Sequence, residues 1–418
     1  MFFLLYLIQY IFLINCQNIP DARHEQASAL VGNRFYFFGG LTSQSSTSNE
    51  VWYLDLSRSF NIVTPPWRKD KEMPIAYMLG SSCVSTINNS IVYLVGGRMF
   101  IPNTTNLTYT SSTYVFNSNI SQWTIPNITG FNSSFTRRDQ MQAIINNNEK
   151  IFILGGIDFI SVIRYNDINI FDTTTMSWLT LPQSSRSLQC SDYAAILLPN
   201  SLIIYIGGRL PNGSHINMNQ IQIFDTKFFT WSTNTTSGSN VRSRAGHSAV
   251  LTQNGDIILY GGATMNSTGS LISVLSDIAV LNTDTWKWFI PDISGSNVPP
   301  PLAFHSAALY LNYMILAFGQ TAISQTHTNN IYILNIHNYT WIATVDIPTT
   351  TTTTAETPTD ETSDNQQNNN NILYIGIGIG VGGIVLTGIL LTAGLLIYKN
   401  HDDESTESSE IDRISLYG

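Results

Sequence analysis

The sequence predicts an all-β chain in which six copies of one four-stranded unit close into a ring. Three observations support this class. An apolar run that ends in glycine recurs six times, an apolar strand that ends in Asp or Asn follows each run, and a tryptophan follows that strand. A four-stranded sheet cannot bury both of its faces alone, so the units must stack, and a ring removes the exposed ends.

The first element of each copy is an apolar strand that ends in a glycine pair. Glycine permits positive φ in a turn and close approach of backbones. In the sixth copy, ILAFGQ, we interpret Gly319 as the first glycine and Gln320 as the replacement of the second. First glycines are 52 to 59 residues apart. The five complete pairs are Gly39-Gly40, Gly96-Gly97, Gly155-Gly156, Gly207-Gly208 and Gly261-Gly262.

The second and third elements are a strand that ends in Asp or Asn and a tryptophan. The interval between them is six residues in five copies and twelve in the first. Asp or Asn forms an Asx-turn between strands, and a tryptophan packs one sheet against another. The acidic or amide residues are Asp55, Asn117, Asp172, Asp225, Asn282 and Asn335. The tryptophans are Trp67, Trp123, Trp178, Trp231, Trp288 and Trp341.

These marks, at a period near 50, resemble the kelch repeat, and the resemblance covers residues 17–347. It implies a six-bladed β-propeller ectodomain that binds a partner through loops on one rim. The longest loops are expected at 41–50, 98–113 and 263–276. No repeat is split between the two ends of the chain. We therefore expect the ring to close by packing between its first and sixth units.

Four further segments flank the repeats. Residues 1–16 form an apolar run of the length of a signal peptide, with an uncleaved anchor as the alternative. Residues 348–371 are rich in Thr and Asn and predict a stalk. Residues 372–398 are long enough for one transmembrane helix, and 399–418 form an acidic cytoplasmic tail. This order predicts a single-pass type I plasma-membrane protein, anchored in the lipid bilayer with the repeats outside the cell.

The membrane segment also carries G-x-x-x-G pairs at Gly376/Gly380 and Gly378/Gly382. Such pairs allow close helix contact and predict a homodimer; the alternative is the general tolerance of membrane helices for glycine.

Charged residues make up only 11% of the chain, against about 25% in typical soluble proteins. Asn-linked glycan is a second source of a hydrophilic surface, and its acceptor sequence, the sequon, is Asn-x-Ser/Thr. Because an asparagine-rich chain contains such sequences by chance, we expect about half of them to be glycosylated. The candidate glycosylation sites are Asn88, Asn103, Asn106, Asn119, Asn127, Asn132, Asn212, Asn234, Asn266 and Asn338.

The net charge of −9 lies mostly in the stalk and tail. The repeat region is close to neutral, which argues against nucleic acid as a partner.

Candidate chemistry is sparse. The chain looks like the propeller of galactose oxidase, but no recognisable set of copper ligands supports carrying that activity over. His24, His247 and His305 are interpreted as one recurring structural position. Zinc-protease, nucleophile-elbow and phosphate-loop motifs are absent from the sequence, so we expect neither enzymatic activity nor a cofactor or metal.

Two site predictions remain. Arg98 and Arg209 each follow a glycine pair directly and are candidate ligand contacts on a shared rim. Cys83 and Cys190 are expected as buried free thiols rather than as a disulfide. The chain therefore has three candidate functions: binding of an extracellular protein or glycan, surface oxidation of the galactose-oxidase type, and a structural surface role without a ligand.

Overall fold

The computed structural model describes residues 19–321 and 326–347. The predicted signal peptide, stalk, transmembrane helix with its glycine pairs, and tail lie outside these residues. Among the described residues, no helix has the length and apolar character needed to cross a membrane. Their regular elements are all β-strands, apart from one short 3-10 helix at Ser133–Phe135. The prediction of an all-β chain is confirmed.

Six sheets follow one another along the described chain, and each contains a four-stranded antiparallel meander from one continuous stretch. We number them sheets 1 to 6. In the last two sheets a short parallel strand from the preceding repeat is added at the edge. Sheet 1 consists of Ala27–Val31, Arg34–Phe38, Val51–Asp55 and Trp67–Asp70. Sheet 2 consists of Ser81–Val84, Ile91–Val95, Thr113–Asn117 and Gln122–Thr124. Sheet 3 consists of Ala143–Ile145, Lys150–Leu154, Ile168–Asp172 and Ser177–Leu181. Sheet 4 consists of Ala194–Leu197, Leu202–Ile206, Gln220–Asp225 and Thr230–Thr235. Sheet 5 consists of Ser248–Leu251, Asp256–Tyr260, Ile278–Asn282 and Lys287–Phe289. Sheet 6 consists of Ser306–Tyr310, Tyr313–Ala317, Ile331–Asn335 and Thr340–Ile342.

The sheets are arranged in a propeller-like ring. The first strand of each sheet lies against the first strand of the next, and that of sheet 6 lies against that of sheet 1. The second strands are almost fully buried: Phe35, Phe37 and Phe38 are at most 1% exposed. Apolar clusters fill the spaces between neighbouring sheets, as between sheets 1 and 2 and between sheets 6 and 1. The first strands therefore line a central channel, and the fourth strands form the outer wall.

The glycine pairs lie where each second strand ends, and both members have positive φ. Gly39 and Gly40 have φ of +65° and +100°. A Cβ on Gly39 would lie 2.1 Å from the carbonyl oxygen of Tyr77, which belongs to the next repeat. The N–H of Gly40 donates to that same oxygen at 2.8 Å. The pair thus permits the contact between consecutive repeats.

The interpretation of the sixth pair is wrong by one residue. Phe318, with φ of +62°, takes the first-glycine position, and Gly319, with φ of +107°, takes the second. Gly319 donates its N–H to the carbonyl of Arg23 at 2.8 Å, which is the bond that second glycines make elsewhere. A side chain is accommodated here because the Phe318 ring packs on Trp67, with centroids 5.4 Å apart. Gln320 follows the pair and forms a single bridge with Ala303.

The predicted Asx-turns are confirmed between the third and fourth strands. In sheet 4, Asp225 Oδ1 accepts hydrogen bonds from the N–H groups of Lys227 and Phe228 at 2.8 and 3.0 Å. The equivalent oxygen makes a matching bond in the other sheets. These acceptors are Asp55, Asn117, Asp172, Asn282 and Asn335.

Replacement of this side chain should have a small, local effect. We expect Asp225→Ala to lower the free energy of unfolding by about 1 kcal/mol, because two exposed N–H groups lose the carboxylate acceptor and donate to water instead. Asp225→Asn is the matched control and should be close to neutral, since Asn serves this role in three repeats. Urea unfolding measures both, and an equal loss in the two variants would contradict the turn's role.

Each repeated tryptophan packs towards the preceding sheet. The Trp288 indole donates to the carbonyl of Met218 at 3.0 Å, and the Trp341 ring lies 5.7 Å from the Tyr260 ring. Trp67, Trp178 and Trp231 are likewise buried, whereas Trp123 is only half buried. These side chains carry much of the contact between sheets.

The long interval between Asp55 and Trp67 contributes to closure of the ring. Within it, Phe60–Asn61 pairs antiparallel with Thr344–Val345, which follows the last strand of sheet 6. Val345 is fully buried in the apolar cluster between sheets 6 and 1. Closure thus combines the expected packing with a strand pair that the sequence pattern did not reveal.

The two described cysteines, Cys83 and Cys190, are free and buried, as predicted. Burial raises the pKa of both thiols, so they remain protonated.

Candidate functional site

One end of the ring carries a series of short ribbons, which we call the rim. In each repeat, the residues before the first strand pair with those after the glycine pair. The paired ranges are Arg23–His24 with Leu41–Thr42, Ala76–Met78 with Arg98–Phe100, and Arg138–Asp139 with Ile157–Asp158, which also pairs with Ile163–Arg164. Single bridges join Ser191 to Arg209, Ala245 to Ala263 and Ala303 to Gln320. Ala263–Met265 also pairs with Leu271–Val274.

A closed ring of six backbone hydrogen bonds surrounds the mouth of the central channel on this rim. One residue in each repeat donates its N–H to the carbonyl of its equivalent in the preceding repeat, and the first donates to the sixth. The N···O distances are 2.8 to 3.1 Å. All six have φ between +55° and +62°. The members are Glu25, Leu79, Gln140, Asp192, Gly246 and Phe304.

The sequence did not predict this ring, because Gly246 is the only one of its six members whose residue type indicates a positive φ. The available signal was the recurring opening of the repeats, in which Arg23 and Arg244 lie two positions before a ring member.

A cavity of about 120 Å³ lies in the mouth, lined by ring members together with Gln26, His247 and His305. Burial is the main cause that lowers the pKa of both histidines to about 3, so both are neutral. His247 and His305 hold equivalent positions, but His24 lies two positions earlier, on a rim strand paired with Leu41. The assignment of His24 to the same position is therefore wrong. Among the described residues, no group of three or more His, Cys, Asp or Glu is arranged to hold a metal ion.

The structure brings Arg98 and Arg209 to the same rim. Arg98 Nε donates to Asp139 Oδ2 at 2.5 Å, and the guanidinium is about one third exposed. Arg209 is buried; it donates to the carbonyl of Asn266 at 3.2 Å and lies 3.9 Å from the Asp192 carboxylate. Arg98 is therefore the more accessible of the two to a ligand.

Arg164 is a third rim arginine, which sequence reasoning missed. It donates from Nε to Ser191 Oγ at 3.1 Å, and Ser191 pairs through its backbone with Arg209. Its pKa is lowered by burial and by the neighbouring Arg209 guanidinium. It does not follow a glycine pair, because the return strand of a hairpin carries it.

Burial raises the pKa of three carboxyl groups at the mouth. Burial, together with the nearby Asp192, raises the pKa of Glu25 to about 8, against the opposing effect of Arg98. Burial likewise raises the pKa of Asp139 to about 7, although Arg98 opposes it. The pKa of Asp192 is also raised by burial. The mouth is therefore less negative than its three acids suggest.

This arrangement predicts that stability falls as the pH rises. Because the folded pKa of Glu25 is about 8 and above its usual value, its stabilising contribution is complete below about pH 4 and is lost towards pH 8. Glu25→Gln should flatten this dependence and raise stability at pH 8 relative to wild type. Urea unfolding at pH 5 and 8 measures it, with exposed Asp284→Asn as the control. An unchanged slope in Glu25→Gln would contradict the assignment.

A cleft of about 1070 Å³ opens on the rim between the loops of repeats 1 and 2. It lies between two of the predicted long loops. Its lining is rich in hydroxyl and amide groups, among them Ser45, Thr47, Asn49 and Thr104. Such a surface offers many hydrogen-bond donors and acceptors to a polar ligand.

An apolar hairpin stands on the same rim in repeat 3. Ile160, Val162 and Ile163 at its tip are 54%, 65% and 51% exposed. Phe159 stacks against Tyr109, with centroids 6.4 Å apart, and lies beneath Arg98 at 4.8 Å. The rim thus combines a polar cleft with an exposed apolar contact surface.

Most of the candidate glycosylation sites are accessible. Those with exposed side chains are Asn88, Asn103, Asn106, Asn119, Asn127, Asn212, Asn266 and Asn338. Asn132 and Asn234 are half buried, and Asn132 already caps the 3-10 helix and donates to Thr180 at 3.1 Å. Asn103 and Asn106 line the polar cleft.

Comparisons with known proteins agree with this architecture. A family model described as Attractin/LZTR1 beta-propeller matches residues 92–380. Kelch domain-containing protein 3 of Bos taurus is 25% identical over 254 residues, covering 57% of this chain and 64% of that protein. Acyl-CoA-binding domain-containing protein 5 of Arabidopsis thaliana is 24% identical over 313 residues, covering 72% of this chain and 44% of that protein. The chain therefore spans less than two thirds of these relatives.

Among solved structures, that of YjhT is similar with a TM-score of 0.57 and 15% identity. The match covers 78% of this chain and 98% of YjhT. At this identity the likeness concerns the fold alone.

Proposed function

Because the chain belongs to the Attractin/LZTR1 β-propeller family and carries a kelch-type β-propeller, we propose that it is a binding scaffold whose rim holds an extracellular protein or glycan. In this proposal each of the six sheets is one blade of a six-bladed ring. The scaffold acts by recognition, without a catalytic centre or cofactor.

The observation that carries the proposal is the combination of polar and apolar binding features on the rim. The polar cleft, the accessible Arg98 and the apolar hairpin all open on the rim. Protein interfaces commonly combine an apolar contact with polar groups around it. Glycans are held by hydrogen bonds and by aromatic or apolar faces, which the rim also offers.

The proposed setting is the cell surface. The apolar run at 1–16 and the apolar segment at 372–398 favour a type I protein anchored in the lipid bilayer, with the propeller outside on its stalk. The exposed sequons favour a glycosylated surface. Digestion with a peptide N-glycosidase, followed by intact mass measurement, tests this part: loss of glycan mass supports it, and an unchanged mass contradicts it.

The binding proposal is tested with the full chain, purified in detergent and applied to arrays of glycans and cell-surface proteins. Tyr109→Ala and Arg98→Gln should reduce binding of the captured ligand by about 10-fold or more. Phe228→Ala is the matched control, since this aromatic residue is 75% exposed but lies in a turn at the opposite end of the ring. Equal losses in all three variants would contradict a rim site.

The alternatives give different outcomes. A galactose-oxidase-type function requires bound copper, so stoichiometric copper in the purified chain would overturn the binding proposal. A structural role without a ligand predicts that neither array yields rim-dependent binding.

We also propose that the chain forms homodimers through Gly376, Gly378, Gly380 and Gly382 of the predicted membrane helix. Double replacement of Gly378 and Gly382 by Ile should abolish association in a membrane reporter assay, and unchanged association would overturn it.

A further inference from the structure

The outer edges of three sheets are covered by a short segment of the preceding repeat, which we call a clasp. Thr129, Ser237 and Ser294 pair in parallel with the outermost strands of sheets 3, 5 and 6. Each lies six residues after the tryptophan of its own repeat, and each is followed by glycine. The clasp residues are Thr129-Gly130, Ser237-Gly238 and Ser294-Gly295.

The clasp uses the same backbone groups in each sheet. In sheet 3, Trp178 donates its N–H to the carbonyl of Thr129 at 2.9 Å, and Thr129 donates to the carbonyl of Met176 at 2.9 Å. In sheet 5, Ser237 donates to Trp286 at 3.1 Å and Ser239 donates to Trp288 at 2.9 Å. The clasp therefore satisfies outward-facing groups of the tryptophan strand.

Glycine is required in the clasp. A Cβ on Gly238 would lie 2.2 Å from the Trp288 carbonyl oxygen, and one on Gly295 would lie 2.2 Å from that of Trp341. Both glycines also have positive φ, of +87° and +102°. A side chain at either position would collide with the edge strand, whereas a Cβ on Gly130 would lie 3.0 Å from the Trp178 carbonyl oxygen.

In the part of the chain that the structure describes, sheets 1, 2 and 4 have no clasp, and in sheet 4 the sequence explains why. The residues six and seven positions after Trp178 are Ser184 and Ser185, so serine stands where the glycine is needed. The Ser184 carbonyl instead accepts a hydrogen bond from Asn166 at 3.1 Å, within its own repeat. Among the described residues, no strand pairs with the outer edge of Thr230–Thr235, nor with those of Trp67–Asp70 and Gln122–Thr124, but of these three edges only that of sheet 4 has the groove described next.

The unpaired backbone groups of this edge and the groove beside it suit the addition of a strand. Phe224 pairs with Trp231 in the same register as Phe171 with Trp178, so Trp231 presents its N–H and carbonyl outwards as Trp178 does. A groove of about 430 Å³ beside it is lined by Leu181, Phe224 and Phe229. An unpaired edge next to an apolar groove is a template for strand addition by another chain.

We propose that the outer edge of sheet 4 binds an extended segment of a partner protein, which supplies the missing clasp. The clasps of this chain indicate the sequence of the segment. It contains a Ser or Thr followed by Gly, and the glycine lies against the Trp231 carbonyl. An apolar residue precedes it, as Ile128 and Ile293 precede two of the clasps, and occupies the groove. This site lies on the outer wall and is independent of the rim, so either proposal can fail without the other.

The test uses the full chain in detergent and a synthetic peptide that copies residues 291–298, PDISGSNV. All proteins carry Asn234→Gln, which removes the sequon from the edge strand. We expect saturable binding, at least about 10-fold tighter than for the same peptide with Gly295→Val. Hydrogen exchange should slow within Thr230–Thr235. Equal affinity of the two peptides, or protection at Trp67–Asp70, Gln122–Thr124 or Thr340–Ile342 without protection of Thr230–Thr235, would overturn the proposal.

Two reciprocal variants of the chain sharpen the test. Ser185→Gly should let the chain form its own clasp, protect Thr230–Thr235 without peptide, and weaken peptide binding by about 10-fold or more. Gly238→Ser should open the edge of sheet 5 and add a second peptide site. Unchanged binding in Ser185→Gly would overturn the proposal. Protection of Thr230–Thr235 that increases with protein concentration in the absence of peptide would also overturn the proposal, because it would identify a second copy of the chain as the occupant of the edge.

Discussion

Gly39→Ala should destabilise the protein by more than about 4 kcal/mol, a loss large enough to unfold many domains. The added Cβ would lie 2.1 Å from the Tyr77 carbonyl oxygen and 3.0 Å from that of Ser48. Both atoms belong to backbone, so neither contact is relieved by a side-chain rotation. The N–H of Gly40 is bonded to the same Tyr77 oxygen, and a shift of that carbonyl would break the bond.

Gly32→Ala is the matched control for the backbone conformation. Gly32 has φ of +57°, close to the +65° of Gly39, but a Cβ there would meet no heavy atom within 4 Å. It should therefore show only the penalty of positive φ, about 1 to 2 kcal/mol. Urea unfolding of both variants separates the clash from the conformation. Equal losses would show that the contact between repeats 1 and 2 does not require glycine at this position.

The periodic part of this fold could be predicted from sequence because each signal acts over a few residues. The Asx-turn, for example, joins Asp225 to N–H groups only two and three positions away. A six-residue interval is therefore enough to reveal it. The glycine pairs were equally visible in five repeats.

The remaining features depend on contacts between residues far apart in the chain. The strand pair that joins Phe60–Asn61 to Thr344–Val345 has no local signature, since the first segment reads only as an insertion. The positive φ of Glu25 and Phe304 follows from the hydrogen-bonded ring rather than from residue type. Arg98 was found because it follows a glycine pair, whereas Arg164 reaches the same rim on the return strand of a hairpin.

The second large effect concerns a buried arginine that occupies equivalent positions in repeats 1, 3 and 5. Arg138, like Arg23 and Arg244, is fully buried. Its guanidinium donates to the Gly155 carbonyl at 3.2 Å and to both carboxylate oxygens of Asp167, with one of these distances at 2.8 Å. It also stacks over the Tyr165 ring at 3.7 Å. Arg244 makes the same bonds to Gly261 and Asp277.

Arg138→Ala should lower the free energy of unfolding by about 3 to 5 kcal/mol, because it leaves a buried carboxylate without its partner. The Asp167 side chain is only 7% exposed, whereas that of Asp277 is 44% exposed. Arg244→Ala should therefore be milder, since water can solvate the abandoned carboxylate. The double variant Arg138→Met with Asp167→Leu should recover part of the loss, because it removes the buried charge altogether. If Arg138→Ala and Arg244→Ala lost equal stability in urea, packing rather than the unpaired charge would be the dominant effect.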